Sequence, residues 1–196
     1  MSKKIILIAG ASSGFGRLTA EALAKVGHTV YASMRDVAGR NAQNAAEMAE
    51  MSARDRVDLR AVELDVQSEP STNAAVKKIV AESGRIINIS SSVTTLLQPT
   101  YGVYAATKAA VEAMTSVLTK ELRGRNITVN AIAPGPTATR LFLDGKPQEV
   151  IDRLSKAAPL ERLGQPEDIA AAVAFLAGPD GVWINGQTLR ANGGII

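Results

Sequence analysis

KKIILIAGASSGFGRLTAEALAKVG, residues 3–27, is the stretch whose reading decides the fold. Its apolar opening reads as a β-strand and its close as an amphipathic helix, and between them stands Gly10-x-x-x-Gly14-x-Gly16. Glycines so placed let the chain turn tightly and let backbone approach backbone, which leaves the helix N-terminus open to a pyrophosphate. Gly10, Ser12, Ser13, Gly14, Phe15 and Gly16 are therefore candidates for a phosphate cradle. The loop is not of the Walker type, because no Gly-Lys-Ser/Thr follows. Three glycines alone say little; between a strand and a helix they say considerably more.

The same alternation continues outward. Residues 3–9, 28–33, 57–64, 86–89, 126–132 and 187–191 read as strands, and 15–26, 40–53, 70–82, 102–123, 148–157 and 167–177 as helices. Strands alternating with helices imply an α/β fold, a doubly wound parallel sheet of six to seven strands with helices on both faces (Rossmann-type). Gly27, Gly84, Gly124 and Gly178 each fall just past a helical pattern, where a left-handed closing residue belongs. Pro147 and Pro166 stand just ahead of helical stretches. No repeat or linker interrupts the pattern, so residues 1–196 read as one domain, with 1–82 forming a cofactor-binding half and 86–196 a catalytic half.

Composition narrows the class. A chain of 196 residues with 46% hydrophobic and 21% charged residues can build a substantial core. Apolar runs never exceed a strand's length, so no membrane span is expected, and the first strand leads into a glycine turn rather than a signal-peptide cleavage site. The absence of cysteine excludes disulfides and thiol catalysis and fits a cytoplasmic location. A net charge of +3, drawn from scattered Lys and Arg, suits phosphorylated small molecules better than nucleic acid.

Two further stretches carry chemistry. HTVYASMRD (28–36) ends at Arg35, where an acidic residue would bind a ribose 2′-hydroxyl and an arginine would accommodate a 2′-phosphate. Ser33 and Met34 are uncharged and Asp36 follows, so NADP(H) is favoured over NAD(H), with Asp36 the argument against. Asp65, ending VDLRAVELD (57–65), could accept from an adenine amino group or could simply cap a turn. In ISSSVTTLLQPTYGVYAATKAAVEAM (89–114), Tyr104 and Lys108 lie four residues apart at the start of a helical pattern, on one face, with Ser91 upstream. A free phenol titrates near pH 10; a neighbouring ammonium favours the phenolate, and a serine hydroxyl can share the proton on a reacting oxygen. Taken alone, Tyr-x-x-x-Lys is more simply a helix start with a packed aromatic and a solvated lysine. Tyr31 and Tyr101 have no lysine four residues on.

With cradle, Arg35, Asp65 and Ser91/Tyr104/Lys108 in this order, the chain resembles the short-chain dehydrogenase/reductase family over nearly all its length. AIAPGPTATR (131–140) places Pro134 and Gly135 where that family lines the nicotinamide face, and Thr139 where a hydroxyl meets the carboxamide. ERLGQPEDIAAAVAFLAG (161–178) and INGQTLRANGG (184–194) resemble its closing helix and last strand. The resemblance implies that Tyr104 is the general acid/base, that Lys108 holds the nicotinamide ribose and favours the ionised tyrosine, and that Ser91 orients the substrate oxygen. It adds Val66 and Thr137 to the cofactor-binding set and implies hydride transfer to or from a carbonyl or secondary-alcohol carbon, without metal. Relatives pair through the helix corresponding to 102–123, so a homo-oligomer, dimer or tetramer, is expected. Thr94, Gln98, Leu141 and Phe142 are candidate pocket walls, though ordinary loop packing explains them equally well; residues 139–160 read as a lid that sets specificity. His28 and Trp183 read as a residue opening a strand and a packing aromatic.

One departure stands out. The family carries a further strand, ending in an Asn-Asn-Ala-Gly-like turn, and then a long helix whose asparagine supports the proton relay. Here AAVKKIVAESGR (74–85) runs straight into IINISSS (86–92). A strand–helix unit on the order of 30 residues has no counterpart. Asn88 lies within the serine strand and does not inherit the asparagine's role. Residues omitted from the numbering, a deletion or fusion joined near 83–86, and a divergent member are the three explanations. In a contiguous chain the serine strand would move beside the first strand, shifting Ser91 about 4.8 Å towards the cradle. Such a contiguous chain is expected to bind cofactor with weak or no turnover. Over all three explanations an NADP(H)-dependent oxidoreductase is the leading expectation, a dinucleotide-binding protein with weak or no catalysis the second. An epimerase-type relative is third, because its glycines are usually spaced differently.

Overall fold

A computed structural model describes residues 3–65, 67–80 and 84–196. Six strands form one parallel sheet: β1 (Ile5–Ile8), β2 (Thr29–Met34), β3 (Asp58–Glu63), β4 (Gly84–Ile89), β5 (Thr128–Pro134) and β6 (Thr188–Ala191), in the order β3-β2-β1-β4-β5-β6. Along with them run α1 (Gly14–Lys25), α2 (Ala42–Asp55), α3 (Glu69–Val80), α4 (Val93–Leu96), α5 (Gly102–Glu121), α6 (Arg140–Leu143), α7 (Gln148–Ala157) and α8 (Pro166–Ala177). Among the described residues no helix is long and apolar enough to cross a membrane.

Burial follows strand position. β2 and β5 are buried along their whole length, as expected of inner strands covered on both faces, whereas β3 at the sheet edge alternates. Parallel register sorts side chains by face. Leu7 pairs with Ile86 and both enter the core with Tyr31, Leu122 and Val129; Ile8 pairs with Ile87 and both enter the core with Leu23, Ile169 and Val173. That second core is covered by α1 and α8, whose buried positions recur at helical spacing: Gly16, Thr19, Ala20, Leu23 and Ala24 on α1, and Ile169, Val173, Leu176 and Ala177 on α8. Among the described residues the core on the α5 side is the smaller, and α5 itself buries Ala105 and Thr115.

Strand order decides where a ligand can sit. The chain winds one way from β1 to β3, then crosses through α3 to β4, which pairs directly with β1. The direction reverses between β1 and β4, and a doubly wound sheet opens a crevice at the carboxyl ends of the strands flanking such a reversal. The serine strand therefore takes the place beside β1, as expected of a chain lacking a strand–helix unit.

Several local expectations are corrected. Gly84 opens β4 rather than closing a helix, and a Cβ there would stand 2.7 Å from the Ile5 carbonyl oxygen, so the close strand approach needs glycine. Gly178 follows α8 with extended backbone (φ −77°, ψ −176°), not a left-handed one. Trp183 packs on nothing: it is 94% exposed. His28 stands directly before β2 as a strand-entry residue, buried, its Nδ1 accepting from the Lys4 N–H at 3.3 Å; burial first, and the charge of Lys4 second, hold it below the usual histidine value.

Candidate active site

At the carboxyl end of β1 the cradle takes shape. Gly10 and Gly14 have positive φ (74° and 57°), and a Cβ built on either meets nothing within 4 Å, so both face open space. Gly16 is required for a different reason: its Cβ would lie 2.3 Å from the Gly10 carbonyl oxygen, closer than any contact allows. Ser13 caps α1 with extended backbone and no side-chain bond, and no acidic residue occupies the first turn. The open N–H groups and the helix dipole therefore present an unopposed positive end to that space, and the cradle fits a dinucleotide pyrophosphate.

The second group arrives on β4 and α5. Beyond Ile89 the chain keeps pairing with β5, Ser90 N–H donating to Ile132 O (2.8 Å) and Ser92 N–H to Pro134 O (2.9 Å). That holds Ser91 at the crevice, its Oγ accepting from the Val93 N–H at 3.3 Å. Tyr104 lies in the first turn of α5, 45% exposed, with its ring edge-on to Tyr101 at 6.2 Å. One turn on, Lys108 Nζ lies 5.8 Å from the Tyr104 ring centroid and donates to Ile89 O at 2.9 Å. Burial holds the Lys108 ammonium below the ordinary lysine value.

Both groups open on one cavity of about 560 Å³. Gly10, Ser13, Gly14, Phe15 and Gly16 of the cradle line it, together with Ser91, Tyr104 and Lys108 and, at and after the end of β5, Pro134, Gly135, Thr137 and Thr139. Thr139 also caps α6, accepting from the Phe142 N–H at 3.2 Å. Among the candidate wall residues Gln98 and Phe142 line the cavity. Thr94 does not: its hydroxyl is turned towards Ser91 O and Glu112 Oε1, 3.0 Å from each. For Leu141 only its place in α6 is described. Sequence reasoning missed Tyr101, Lys146 and Leu154, which also line the cavity. Tyr101 sits three residues before Tyr104, a spacing that could have signalled a shared helix face.

A smaller cavity of about 340 Å³ lies at the β2 end, lined by Gly10, Ser12, Met34, Arg35, Arg40, Asn41 and Leu64. Asp36 is not among the residues that line it, and its Oδ2 accepts from the Arg40 N–H at 2.9 Å, closing a turn of its own. Asp65 Oδ1 accepts from the Gln67 N–H at 3.0 Å, which is the turn-capping arrangement. Val66 lies outside the described residues. Asn88 Nδ2 donates to Thr115 Oγ1 at 2.9 Å, a structural contact between β4 and α5.

Family models match both halves of the chain. One described as enoyl-(acyl carrier protein) reductase covers residues 72–196, and one described as short chain dehydrogenase covers 4–83. The chain belongs to the short-chain dehydrogenase/reductase family. A short-chain type dehydrogenase/reductase from Picea abies is 51% identical over 124 residues, 63% of this chain and 46% of the spruce protein. An NADPH-dependent aldehyde reductase-like chloroplastic protein from Arabidopsis thaliana is 46% identical over 126 residues, 64% and 47% of the two chains. This short-chain dehydrogenase/reductase thus spans about half the length of the curated relatives it matches. Among solved structures, the angucycline C-6 ketoreductase LanV with bound NADP is 27% identical, with a TM-score of 0.74 over 98% of this chain and 95% of that one. A 7α-hydroxysteroid dehydrogenase at 24% identity shares the fold, with a TM-score of 0.80 over 97% and 93% of the two chains.

Proposed function

We propose that this short-chain dehydrogenase/reductase is an NADP(H)-dependent oxidoreductase that interconverts a carbonyl and a secondary or primary alcohol, and that it works as a homo-oligomer. The observation that carries the reading is the single cavity joining the glycine cradle to Ser91, Tyr104 and Lys108. The cradle and α1 N-terminus would hold the pyrophosphate, Pro134, Gly135 and Thr139 would face the nicotinamide, and Lys108 would hold its ribose. When bound, the nicotinamide exchanges a hydride with the carbonyl carbon. Ser91 donates to the substrate oxygen and fixes its direction. Tyr104 gives its phenolic proton to that oxygen in reduction and recovers it in oxidation. The Lys108 ammonium, anchored on Ile89 O, lies beside the ring and stabilises the phenolate left behind. Arg35 and Arg40 at the smaller cavity, with Asp36 committed to its own turn, favour a 2′-phosphate. The NADP bound by LanV and the NADPH dependence stated for the Arabidopsis proteins support the same preference.

One observation favours a second reading, a cofactor-binding protein with little turnover. β4 pairs directly with β1, so Ser91 stands one strand from the cradle strand, and a displacement of even ~1 Å can cost a hundredfold in rate. A Tyr104→Phe variant separates the two. On the first reading NADPH oxidation with simple aldehydes falls by about 10²–10⁴-fold while NADPH still binds. A parent chain that binds NADPH but shows no turnover for Tyr104→Phe to remove would establish the second.

A further inference from the structure

We propose that Glu112 is a positioning residue that clips the Ser91 loop to the helix bearing Tyr104 and Lys108. Ser91, Tyr104 and Lys108 come from two elements, so their mutual placement depends on what joins the end of β4 to α5. Glu112 lies one turn beyond Lys108 and two beyond Tyr104 on α5. Its Oε1 accepts from Ser90 Oγ at 2.6 Å and faces Thr94 Oγ1 at 3.0 Å. Ser90 and Thr94 bracket Ser91 in the chain, so one carboxylate oxygen grips the loop on both sides of it. Ser90 Oγ also lies 3.4 Å from the Lys108 carbonyl oxygen, and Thr94 Oγ1 lies 3.0 Å from the Ser91 carbonyl oxygen, drawing both hydroxyls into the same junction. Glu112 does not line the cavity, so it acts through Ser91 and not on the substrate.

Deeper in the sheet a separate contact joins the same elements: Asn88 donates to Thr115 Oγ1, which donates to Val111 O at 2.8 Å. Removing Glu112 therefore releases the side-chain tie between the Ser91 segment and α5, while β4 stays anchored on α5 and the Ser90 and Ser92 N–H groups stay paired with β5. Both hydroxyls face the carboxylate as donors to an acceptor oxygen, and a glutamine side-chain carbonyl can meet the same demand.

The inference rests on the reductase reading for its effect on rate, but the clip itself can be measured without turnover. Hydrogen–deuterium exchange over residues 90–97, steady-state kinetics and NADPH titration are compared for the parent, Glu112→Ala and Glu112→Gln. Glu112→Ala should speed exchange in that segment at least tenfold. It should also lower kcat by about 10- to 100-fold, with KM and the NADPH Kd within twofold. Glu112→Gln should restore both. A Ser90→Ala/Thr94→Val double variant removes the donors from the other side and should reproduce the alanine result, with no further loss when the two are combined. Unchanged exchange in Glu112→Ala, a glutamine variant as impaired as the alanine one, or a loss confined to KM would each overturn the proposal. A parent without turnover would refute the reductase reading instead, leaving the exchange data to decide the clip.

Discussion

Lys108 shows how one residue carries opposite demands from folding and from chemistry. Its ammonium is pushed below the ordinary lysine value of 10.5 by burial, and its described bond is to the neutral Ile89 carbonyl. The folded state thus binds that proton less readily than the unfolded chain does. Charging Lys108 costs stability at neutral pH, and the cost lifts only as pH rises towards the unfolded value. A Lys108→Met variant keeps the buried stem and removes the charge, so its Tm at pH 7 should equal or exceed the parent's while reductase turnover falls at least about 10²-fold. A Tm drop of more than about 4 °C, on the order of 1–2 kcal/mol at this size, would show that the ammonium stabilises the fold instead. The Tyr-x-x-x-Lys spacing tells in sequence that both residues share a helix face. That Lys108 reaches Ile89 O does not follow from spacing, because the partner is a backbone atom of another element 19 residues away.

At the scale of elements, apolar runs and glycines locate nearly every strand and long helix to within a residue or two. The short helices α4 and α6 escape, since four residues give periodicity nothing to repeat. Gly84 and Gly178 mislead for a shared reason: each is glycine because a neighbouring backbone oxygen, of Ile5 or Ala174, leaves no room for Cβ, and sequence does not distinguish that need from a left-handed turn. Strand starts are also tied by charge. Asp58 opens β3 and accepts from Thr29 Oγ1 at the start of β2 (2.7 Å), from Lys3 Nζ (3.1 Å) and from Arg60 Nε (2.7 Å). Burial works against its charge, yet the bonds from Thr29, Arg60 and Lys3 prevail and hold the carboxyl at about 2, below the ordinary 3.8. A carboxyl depressed on folding stabilises the fold above the unfolded value, and that contribution is lost as pH falls from about 4 towards 2. After solvent screening it amounts to about 1–2 kcal/mol. Asp58→Asn should therefore lower Tm at pH 7 and flatten the decline of Tm between pH 4 and 2; parallel declines in the two proteins would rule the linkage out.

For the whole molecule, the decisive fact is what covers the sheet face bearing α5. The alternation of strands and helices foretells the winding, and the missing strand–helix unit foretells that β4 meets β1. What sequence leaves open is which residues of α5 this exposes, because burial belongs to the assembled fold. Along α5, Val103, Ala106, Ala110, Ala113 and Val117 are all exposed, Val103 by 83% and Val117 by 52%. Their spacing of three and four residues is that of a coiled-coil seam, and the alanines would let a second helix come close. The stripe contains neither Tyr104 nor Lys108, so pairing along it would leave the site's side chains free. We therefore expect two copies of the chain to meet through α5. Light scattering on the parent should give a mass of at least twice 20.5 kDa, and a Val103→Glu/Val117→Glu variant, placing facing charges on the seam, should return to 20.5 kDa. A parent that scatters as a single chain at micromolar concentration would show that α5 remains open to water, and the apolar stripe would then need a different explanation.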